Sequence, residues 1–318
     1  MKHLFILNPI AGGGRRISEV RAEILRVMGG QGEPWELYET LGSGDAIRKV
    51  REAAGSREAL RVYACGGDGT LNECVNGAVE EAHVAVTHFP AGTGNDFIKT
   101  FHAGKEHFFY LERFLDPEVM ALDVIDAGGR YGVNICSVGL DARIGGDVHK
   151  YSRLPFVRGK GAYFVSLLVN VLRGIAEPFE LEVGGKISKE KFTMICLCNG
   201  RSYGGAFTPV PEALPDDGLM DILLVGKVSR PGVVPLVGKY AAGRYRELPH
   251  LITHLQDTSL TIRADREFVV NVDGEILWRR EVVFTLLPCG VNFFAPRGAS
   301  FRTPNLGTSV EVLKNAKN

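Results

Sequence analysis

The sequence has 318 residues, which is enough for about two domains and for a buried core without disulfide or metal staples. Its 37 basic and 37 acidic residues cancel, so we expect no nucleic-acid partner. The apolar runs are too short for a membrane helix or a signal peptide, and the six cysteines form no metal-type pair, so we expect a cytoplasmic protein with reduced core thiols.

Residues 1–100 alternate short apolar segments with segments of helical periodicity. Four buried strands are predicted at 3–8, 35–40, 60–65 and 84–89. The first helix is predicted to bury a face formed by Ile17, Val20, Ile24, Leu25 and Met28, and a later helix a face formed by Leu71, Cys74, Val75, Ala78 and Val79. This alternation predicts a doubly wound parallel sheet, in which ligands bind beyond the carboxyl ends of the strands.

From about Met120 the pattern changes to closely spaced strands of period two. They are predicted at 121–127, 131–138, 179–183, 192–199, 220–225, 259–263, 268–272 and 282–287. Helices are predicted at 161–175 and 231–243, the second with Ser229 near its start as a cap. We therefore expect an α/β domain over 1–125, which 295–318 could complete, and a mostly antiparallel, β-rich domain over 126–294.

Glycine is in excess, with 39 residues, and much of it follows the first, third and fourth strands. The three loops are 8–14, 66–70 and 90–96, which should share one edge of the sheet. Glycine lets backbone amides approach a polyphosphate, and each following helix adds its positive end, although any one loop alone could be a tight turn. Three loops together predict a nucleotide site. Neither the dinucleotide GxGxxG pattern nor the Walker P-loop pattern is present.

The second loop, GGDGTLNE at 66–73 followed by NG at 76–77, resembles the nucleotide loop of diacylglycerol-kinase-type lipid kinases. This family includes the soluble bacterial lipid kinases and the sphingosine and ceramide kinases. GGDGT is shared with NAD kinases, but further motifs extend the similarity along most of the chain: NPIAG at 8–12, PAGTGNDF at 90–97, LPDDG at 214–218 and DGE at 273–275. Ala11 departs from the pattern, because the family usually has Ser there.

The resemblance implies a β-sandwich-like C-terminal domain that receives the lipid, with the active site between the two domains. It implies transfer of the γ-phosphoryl group of ATP, with Mg²⁺ as the required metal, to a lipid primary hydroxyl, that of diacylglycerol, at a membrane surface. A homodimer is left open. The implied ATP contacts are Asn8, Pro9, Ile10, Ala11, Gly12, Thr40, Gly66, Gly67, Asp68, Gly69, Thr70, Leu71, Asn72 and Thr93.

The same resemblance assigns a structural Mg²⁺ to the Asp217 carboxylate and the carbonyls of Leu214 and Leu219, with Asp68 and Asp123 joined through water. Each acid also has a plainer interpretation. Asp68 could cap the following helix, and Asp217 could be a turn residue. Asp216 is expected to be a solvated turn residue and Asp126 a turn acceptor before Gly128.

Asp273 and Gly274 stand between alternating apolar runs and predict a two-residue hairpin. That hairpin does not explain Glu275. The resemblance makes Glu275 the general base for the lipid hydroxyl, with Asp273 beside it and Asp68 as the third acid of the catalytic set.

Other candidates are weaker. His250 and His254 could form a metal pair on a helix, but no third ligand accompanies them. Arg15 and Arg16 could meet phosphate or simply be solvated. The apolar stretch within 161–175 is expected to pack in the core and in part to line an acyl groove, and Arg158 and Lys160 could meet lipid headgroups. The alternative functions are an NAD-kinase-like enzyme with a soluble acceptor and a regulatory protein without turnover.

Overall fold

The computed structural model describes residues 1–151, 165–166, 169–171 and 174–302. Most of the helix predicted at 161–175 lies outside the described residues, and so do Arg158, Lys160 and the tail from 303 onwards. Within the described part of the chain, no helix is both long and apolar enough to cross a membrane.

The N-terminal part contains the four predicted strands as a parallel sheet. The strands are β1 (Lys2–Leu7), β2 (Trp35–Glu39), β3 (Leu60–Gly66) and β4 (Val84–Pro90), in the spatial order β4-β3-β1-β2. The intervening helices are α1 (Ile17–Met28), α2 (Asp45–Ala54) and α3 (Asp68–Ala78). All pairs among these strands are parallel, so the carboxyl ends lie at one edge.

The buried faces of the helices agree with the sequence at most positions. Along α1, Val20, Ile24 and Met28 are buried as predicted. Leu25 is 52% exposed, so the prediction that it belongs to the buried face is wrong. Val27 is buried instead, because i, i+4, i+7 and i+8 from Val20 form one face of the helix. Along α3 the predicted face is buried, and Val79 lies at the C-cap.

The second part is β-rich. Its strands are β5 (Glu118–Asp126), β6 (Tyr131–Gly132), β7 (Ile135–Gly139), β8 (Glu177–Val183), β9 (Lys186–Cys198), β10 (Met220–Gly226), β11 (Ile252–Asp257), β12 (Ser259–Val272) and β13 (Glu275–Ala295). Among the described residues of this part, helices α4 (Leu140–Tyr151) and α5 (Val233–Ala241) accompany the strands. The strands of this part pair with one another in antiparallel fashion, as predicted. The chain is therefore a mixed α/β protein.

Several details differ from the sequence prediction, and strand β11 and helix α4 were not predicted. The strand predicted at 131–138 is two strands, β6 and β7, separated by Val133 and Asn134. The two strands predicted at 259–263 and 268–272 are one strand, β12, whose register shifts between Arg263 and Phe268. Helix α5 begins after Gly232, whose amide donates to the Ser229 carbonyl, so Ser229 is not the cap residue.

Strand β13 connects the two parts. Its first half pairs with β12, its second half pairs with β5, and Asn292 and Phe293 pair in parallel with β4. Phe293 and Phe294 are consequently buried in the N-terminal core. Five of the six cysteines are buried free thiols as expected, but Cys289 is exposed.

Candidate functional site

The three glycine loops lie at the same edge of the parallel sheet and contact one another. The Gly66 carbonyl accepts hydrogen bonds from the amides of Ala91 (2.8 Å) and Gly92 (3.0 Å), which joins the second loop to the third. The Asn8 side-chain amide donates to Thr70 Oγ1 at 3.1 Å, which joins the first loop to the second. The shared edge predicted from the sequence is confirmed.

Glycine is required where these loops approach most closely. Gly12 has a φ of +58°, and a Cβ there would lie 2.6 Å from the Ala91 carbonyl oxygen. A Cβ on Gly92 would lie 2.4 Å from the Cα of Gly67. Gly69, by contrast, is exposed and faces open space at the first turn of α3, where the backbone amides have no intrahelical acceptor. The edge therefore presents closely packed main chain beside the first-turn amides of α3, which suits a phosphate group.

The predicted nucleotide contacts divide by burial. Exposed residues are Pro9, Ile10, Gly69 and Thr93; partly buried ones are Asn8, Gly12, Thr40, Gly67 and Asp68; buried ones are Ala11, Gly66, Thr70, Leu71 and Asn72. Thr40 follows β2, and its amide donates to the Leu7 carbonyl at 2.9 Å. The buried members can support the loops, while the exposed and partly buried members can reach a ligand.

Asp68 bridges the second and third loops. Its Oδ1 accepts the backbone amides of Asp96 (2.5 Å) and Phe97 (3.2 Å), rather than those of Thr70 and Leu71 as in the capping alternative. Behind it, the buried His88 ring contacts the Gly66 carbonyl through Nε2 at 3.1 Å. Burial lowers the pKa of His88, so a neutral imidazole supports this loop.

The two arginines of the first loop take different positions. Arg16 donates to the Pro90 carbonyl at 3.0 Å and lies over the Phe109 ring, so it helps to hold the third loop in place. Arg15 is exposed, and its Nε donates to the Gly12 carbonyl at 3.3 Å. Of the two, Arg15 is the one that a phosphate could approach.

The hairpin predicted at Asp273 and Gly274 is confirmed. Both residues have positive φ, +50° and +98°, and Val272 pairs with Glu275 across the turn. These angles are those of the two-residue turns that match the twist of antiparallel strands.

The Asp273 carboxylate fixes this hairpin to the rest of the protein. It accepts the amides of Val133 (2.7 Å), Asn134 (3.1 Å) and Ile135 (2.7 Å) and the side-chain amide of Asn72 (3.1 Å). Burial raises the pKa of Asp273 to about 6, against the opposing effect of these hydrogen bonds. Asn72 belongs to α3, so Asp273 connects the hairpin directly to the helix of the nucleotide loop.

Glu275 stands two residues beyond this anchor, with a side chain that is 40% exposed. Its Oε2 lies 3.7 Å from Nη2 of Arg130, and the same Nη2 donates to Asn72 Oδ1 at 3.2 Å. The structure thus brings Glu275 beside α3, the helix that follows the second glycine loop. Arg130 was missed in the sequence, where it appears only as a basic residue after two glycines.

The acids assigned to a structural metal ion lie around the turn 214–219. Asp123 is buried, and its carboxylate accepts the amides of Gly218 (2.7 Å) and Cys289 (2.9 Å). Asp217 Oδ1 accepts the Leu219 amide at 3.1 Å. Burial raises the pKa of Asp217, and the nearby Asp221, Asp123 and Asp216 add to this effect. A cation would relieve that excess of negative charge.

The oxygen atoms at this turn are of the type that a hard cation prefers, but few of them come from charged side chains. The described residues contain no group of three or more His, Cys, Asp or Glu side chains placed to hold a metal ion. An ion here would depend on Asp217, the carbonyls of Leu214 and Leu219, and water, which is an all-oxygen set of the kind that Mg²⁺ prefers. Asp68 hydrogen bonds at the glycine edge instead, so any link from Asp68 to this turn would have to pass through water.

Three other residues singled out in the sequence have structural partners. Asp216 lies in the turn as predicted, but it is not simply solvated, because it forms a two-point ion pair with Arg302 (2.6 and 2.9 Å). Asp126 accepts the Gly129 amide as predicted. His254 lies on strand β11 rather than on a helix, and its Nε2 contacts Asp221 at 2.7 Å.

Arg201 was also missed in the sequence. It is 5% exposed and donates to the carbonyls of Ala213 (2.8 Å), Thr100 (3.0 Å) and Phe301 (2.7 Å). One buried guanidinium therefore joins the turn at 214–219 to the N-terminal part and to the end of the described chain.

Two family models match this chain. Residues 2–127 match the family model "Diacylglycerol kinase catalytic domain", and residues 134–295 match "YegS C-terminal NAD kinase beta sandwich-like domain". A Staphylococcus aureus (strain Newman) protein named "Putative lipid kinase" is 26% identical over 249 residues, which is 77% of this chain and 81% of that protein.

Two solved structures from Bacillus anthracis (strain Sterne) share the fold. One, described as "a putative diacylglycerol kinase", has a TM-score of 0.71 at 24% identity and covers 92% of this chain and 96% of its own. The other, described as a diacylglycerol kinase, has a TM-score of 0.67 at 22% identity, with the same coverage. At these identities the structural likeness concerns the fold alone.

Proposed function

Because the chain belongs to the family of diacylglycerol-kinase-type lipid kinases, we propose that it transfers the γ-phosphoryl group of ATP to the primary hydroxyl of diacylglycerol. The observation that carries this proposal is the direct contact between the nucleotide-loop helix and the hairpin of the candidate base. Asn72 of α3 donates to Asp273, and Arg130 lies between Asn72 and Glu275. These contacts would keep a phosphate donor bound at the glycine edge in a fixed position relative to the exposed Glu275 carboxylate.

The glycine edge is proposed to bind the triphosphate. The exposed and partly buried backbone of the three loops supplies amides, and a doubly wound arrangement around the sheet would place the helix N-termini at this edge. When bound, Mg²⁺ neutralises phosphate charge and stabilises the acid-rich turn. Asp217, Leu214 and Leu219 would hold the structural ion, with Asp68 and Asp123 reached through water.

Glu275 is proposed to accept the proton of the lipid hydroxyl. The hydroxyl oxygen forms a bond to the γ-phosphorus, the bond between that phosphorus and the β–γ bridging oxygen breaks, and the proton passes to the Glu275 carboxylate. The 40% exposure of Glu275 leaves it open to a substrate that approaches from outside. Asp273 and Asp68 complete the acidic set by fixing the hairpin and the phosphate loop.

The experiment is a labelling assay with γ-labelled ATP, Mg²⁺ and vesicles made from a total lipid extract, followed by identification of the labelled lipid. We expect label in phosphatidic acid. Glu275→Gln should lower kcat by about 10² to 10⁴ while ATP binding stays intact, because only the proton acceptor is lost. The matched control is Glu267→Gln, an exposed acid on β12 away from the hairpin.

Three outcomes would contradict the proposal. If NAD is supplied alongside the lipid and becomes labelled, the result would favour the alternative of an enzyme with a soluble acceptor. The C-terminal match is the reason to include NAD, because its description contains the words "NAD kinase beta sandwich-like". Binding of ATP without any transfer would favour a regulatory protein. Normal turnover by Glu275→Gln would remove Glu275 as the base. Binding of the active enzyme to vesicles would test the proposed action from the cytosol at a membrane surface.

A further inference from the structure

Arg130 occupies the space between the nucleotide-loop helix and the hairpin of Glu275. Its Nη2 donates to Asn72 Oδ1 at 3.2 Å and lies 3.7 Å from Glu275 Oε2. Neither the nucleotide contacts nor the acids assigned above include it. A single guanidinium group thus contacts both halves of the candidate site.

The backbone that carries Arg130 is firmly held. Gly128 and Gly129 adopt φ of +75° and +87°, the Asp126 carboxylate accepts the Gly129 amide at 2.6 Å, and the Arg130 carbonyl accepts the Ala127 amide at 2.9 Å. On the other side, the Tyr131 amide donates to Asn76 Oδ1 at 3.0 Å. The side chain of Arg130 therefore extends from a fixed point, and only 22% of it is exposed.

The partner of Arg130 on α3 is equally fixed. Asn72 donates to the Tyr131 carbonyl (2.8 Å) and to Asp273 (3.1 Å), and its Oδ1 accepts Asn76 Nδ2 (3.2 Å) as well as Arg130. All the hydrogen-bonding positions of this amide are occupied by protein groups. Asn72 is 1% exposed, so it forms a rigid, buried support for the arginine.

Glu275, in contrast, has a long and partly exposed side chain. A glutamate side chain that rotates freely spends only part of its time in any one conformation. A general base acts only when it lies within hydrogen-bond reach of the proton that it accepts. The N–H groups of Arg130 Nη2 point in directions fixed by the planar guanidinium, so this one nitrogen faces both Asn72 and Glu275, whereas a lysine ammonium on its flexible stem fixes neither direction. The geometry favours a role for Arg130 in restricting where the Glu275 carboxylate lies.

We propose that Arg130 is a positioning residue for phosphoryl transfer: it holds the Glu275 carboxylate against α3, so that the base and the phosphate loop keep one relative geometry. This inference rests on the proposed function. It differs from direct phosphate binding by Arg130, which would act on the affinity for ATP rather than on the chemical step.

Steady-state kinetics of Arg130→Gln, with ATP and diacylglycerol vesicles varied separately, test this role. We expect kcat to fall by about 10- to 100-fold, the range for a misplaced reacting group, while KM for ATP changes by less than about twofold. Arg130→Lys should recover only part of the loss, because it keeps the charge but its ammonium group sits on a flexible stem and does not fix the direction of either contact. Arg279→Gln is the matched control, since this exposed arginine of β13 donates to the adjacent Trp278 carbonyl and lies outside the candidate site.

A double variant separates positioning from an independent effect. If Arg130 acts through Glu275, adding Arg130→Gln to Glu275→Gln will not slow the enzyme further. A multiplied loss, or a raised KM for ATP in Arg130→Gln alone, would overturn the inference in favour of a phosphate contact. Full activity of Arg130→Gln beside an active wild type would refute the inference alone, whereas a wild type that transfers no phosphate to lipid would refute the proposed function and this inference together.

Discussion

Replacement of Gly92 by alanine is expected to push the second and third glycine loops apart. A Cβ at this position would lie 2.4 Å from Gly67 Cα, 2.9 Å from Asn95 Oδ1 and 3.0 Å from Gly67 N. Carbon atoms in contact need about 3.5 to 4.0 Å, so the two main-chain segments would have to separate by about 1 Å. The nearest obstacle is backbone, which cannot rotate out of the way as a side chain can.

The expected magnitudes follow from this displacement. Overpacking of this kind costs about 1 to 3 kcal/mol in the free energy of unfolding. The same movement would misplace the amides proposed to bind the triphosphate, and a shift of about 1 Å at a reacting group costs about 100-fold in kcat/KM. Gly92→Ala should therefore lower both the stability and the kcat/KM for ATP.

Urea unfolding, calorimetric titration with ATP and the lipid labelling assay would measure these effects. One control separates the clash from the mere addition of a methyl group. Gly30→Ala places its Cβ in open space outside the loops. If Gly92→Ala keeps the stability and ATP affinity of the wild type, the close approach of these loops is not what shapes the site.

Two further substitutions test the acids. Asp217→Asn removes a full charge from the proposed oxygen shell and should weaken Mg²⁺ binding in a thermal-shift titration, with activity partly restored at high Mg²⁺; an unchanged Mg²⁺ dependence would leave Asp217 as a turn residue. Asp273→Asn should lower kcat less than Glu275→Gln does, but reduce the free energy of unfolding at pH 7 by about 1 to 3 kcal/mol, because buried amides lose their acceptor. Burial raises the pKa of Asp273 from an ordinary 3.8 to about 6, so its protonation favours the folded state below about pH 4, and that contribution is lost as the pH rises through 6. The stability of the wild type should accordingly fall relative to Asp273→Asn across this range in urea titrations, and a constant difference would refute the assigned pKa.

Local signals made parts of the fold and site predictable. The four N-terminal strands were correctly predicted because each is a short apolar run bounded by turn residues, and the hairpin because Asp273 and Gly274 suit positive φ. The break between β6 and β7 was not predictable, since the amides of Val133 and Asn134 turn towards Asp273, far along the chain. The same holds for Arg130 and Arg201, whose partners are distant in sequence.

The nucleotide-loop motif shows why a motif alone does not assign roles. Glu73 accepts the amides of Gly44 (2.8 Å) and Ala46 (3.1 Å) and so caps α2. A Cβ on Gly77 would lie 2.7 Å from the Cβ of Val50, so this glycine allows α2 and α3 to pack closely. These residues support the helices rather than face a ligand, and only their tertiary partners separate them from the phosphate-facing glycines.

Three connections of different types fix the position of Glu275 relative to the second glycine loop. Strand β13 carries the chain from Glu275 into the sheet beside β4, which ends at the third glycine loop. Asn72 and Asp273 join the hairpin to α3 through a buried hydrogen bond, and Arg201 joins the turn at 214–219 to Thr100. No single substitution removes the strand, the side-chain hydrogen bond and the buried arginine together, so the loss of one leaves the others to limit how far Glu275 can move. Substitutions of exposed residues around the candidate site should then alter the access of the lipid. Substitutions of the residues that form these connections should alter the proposed phosphoryl transfer itself.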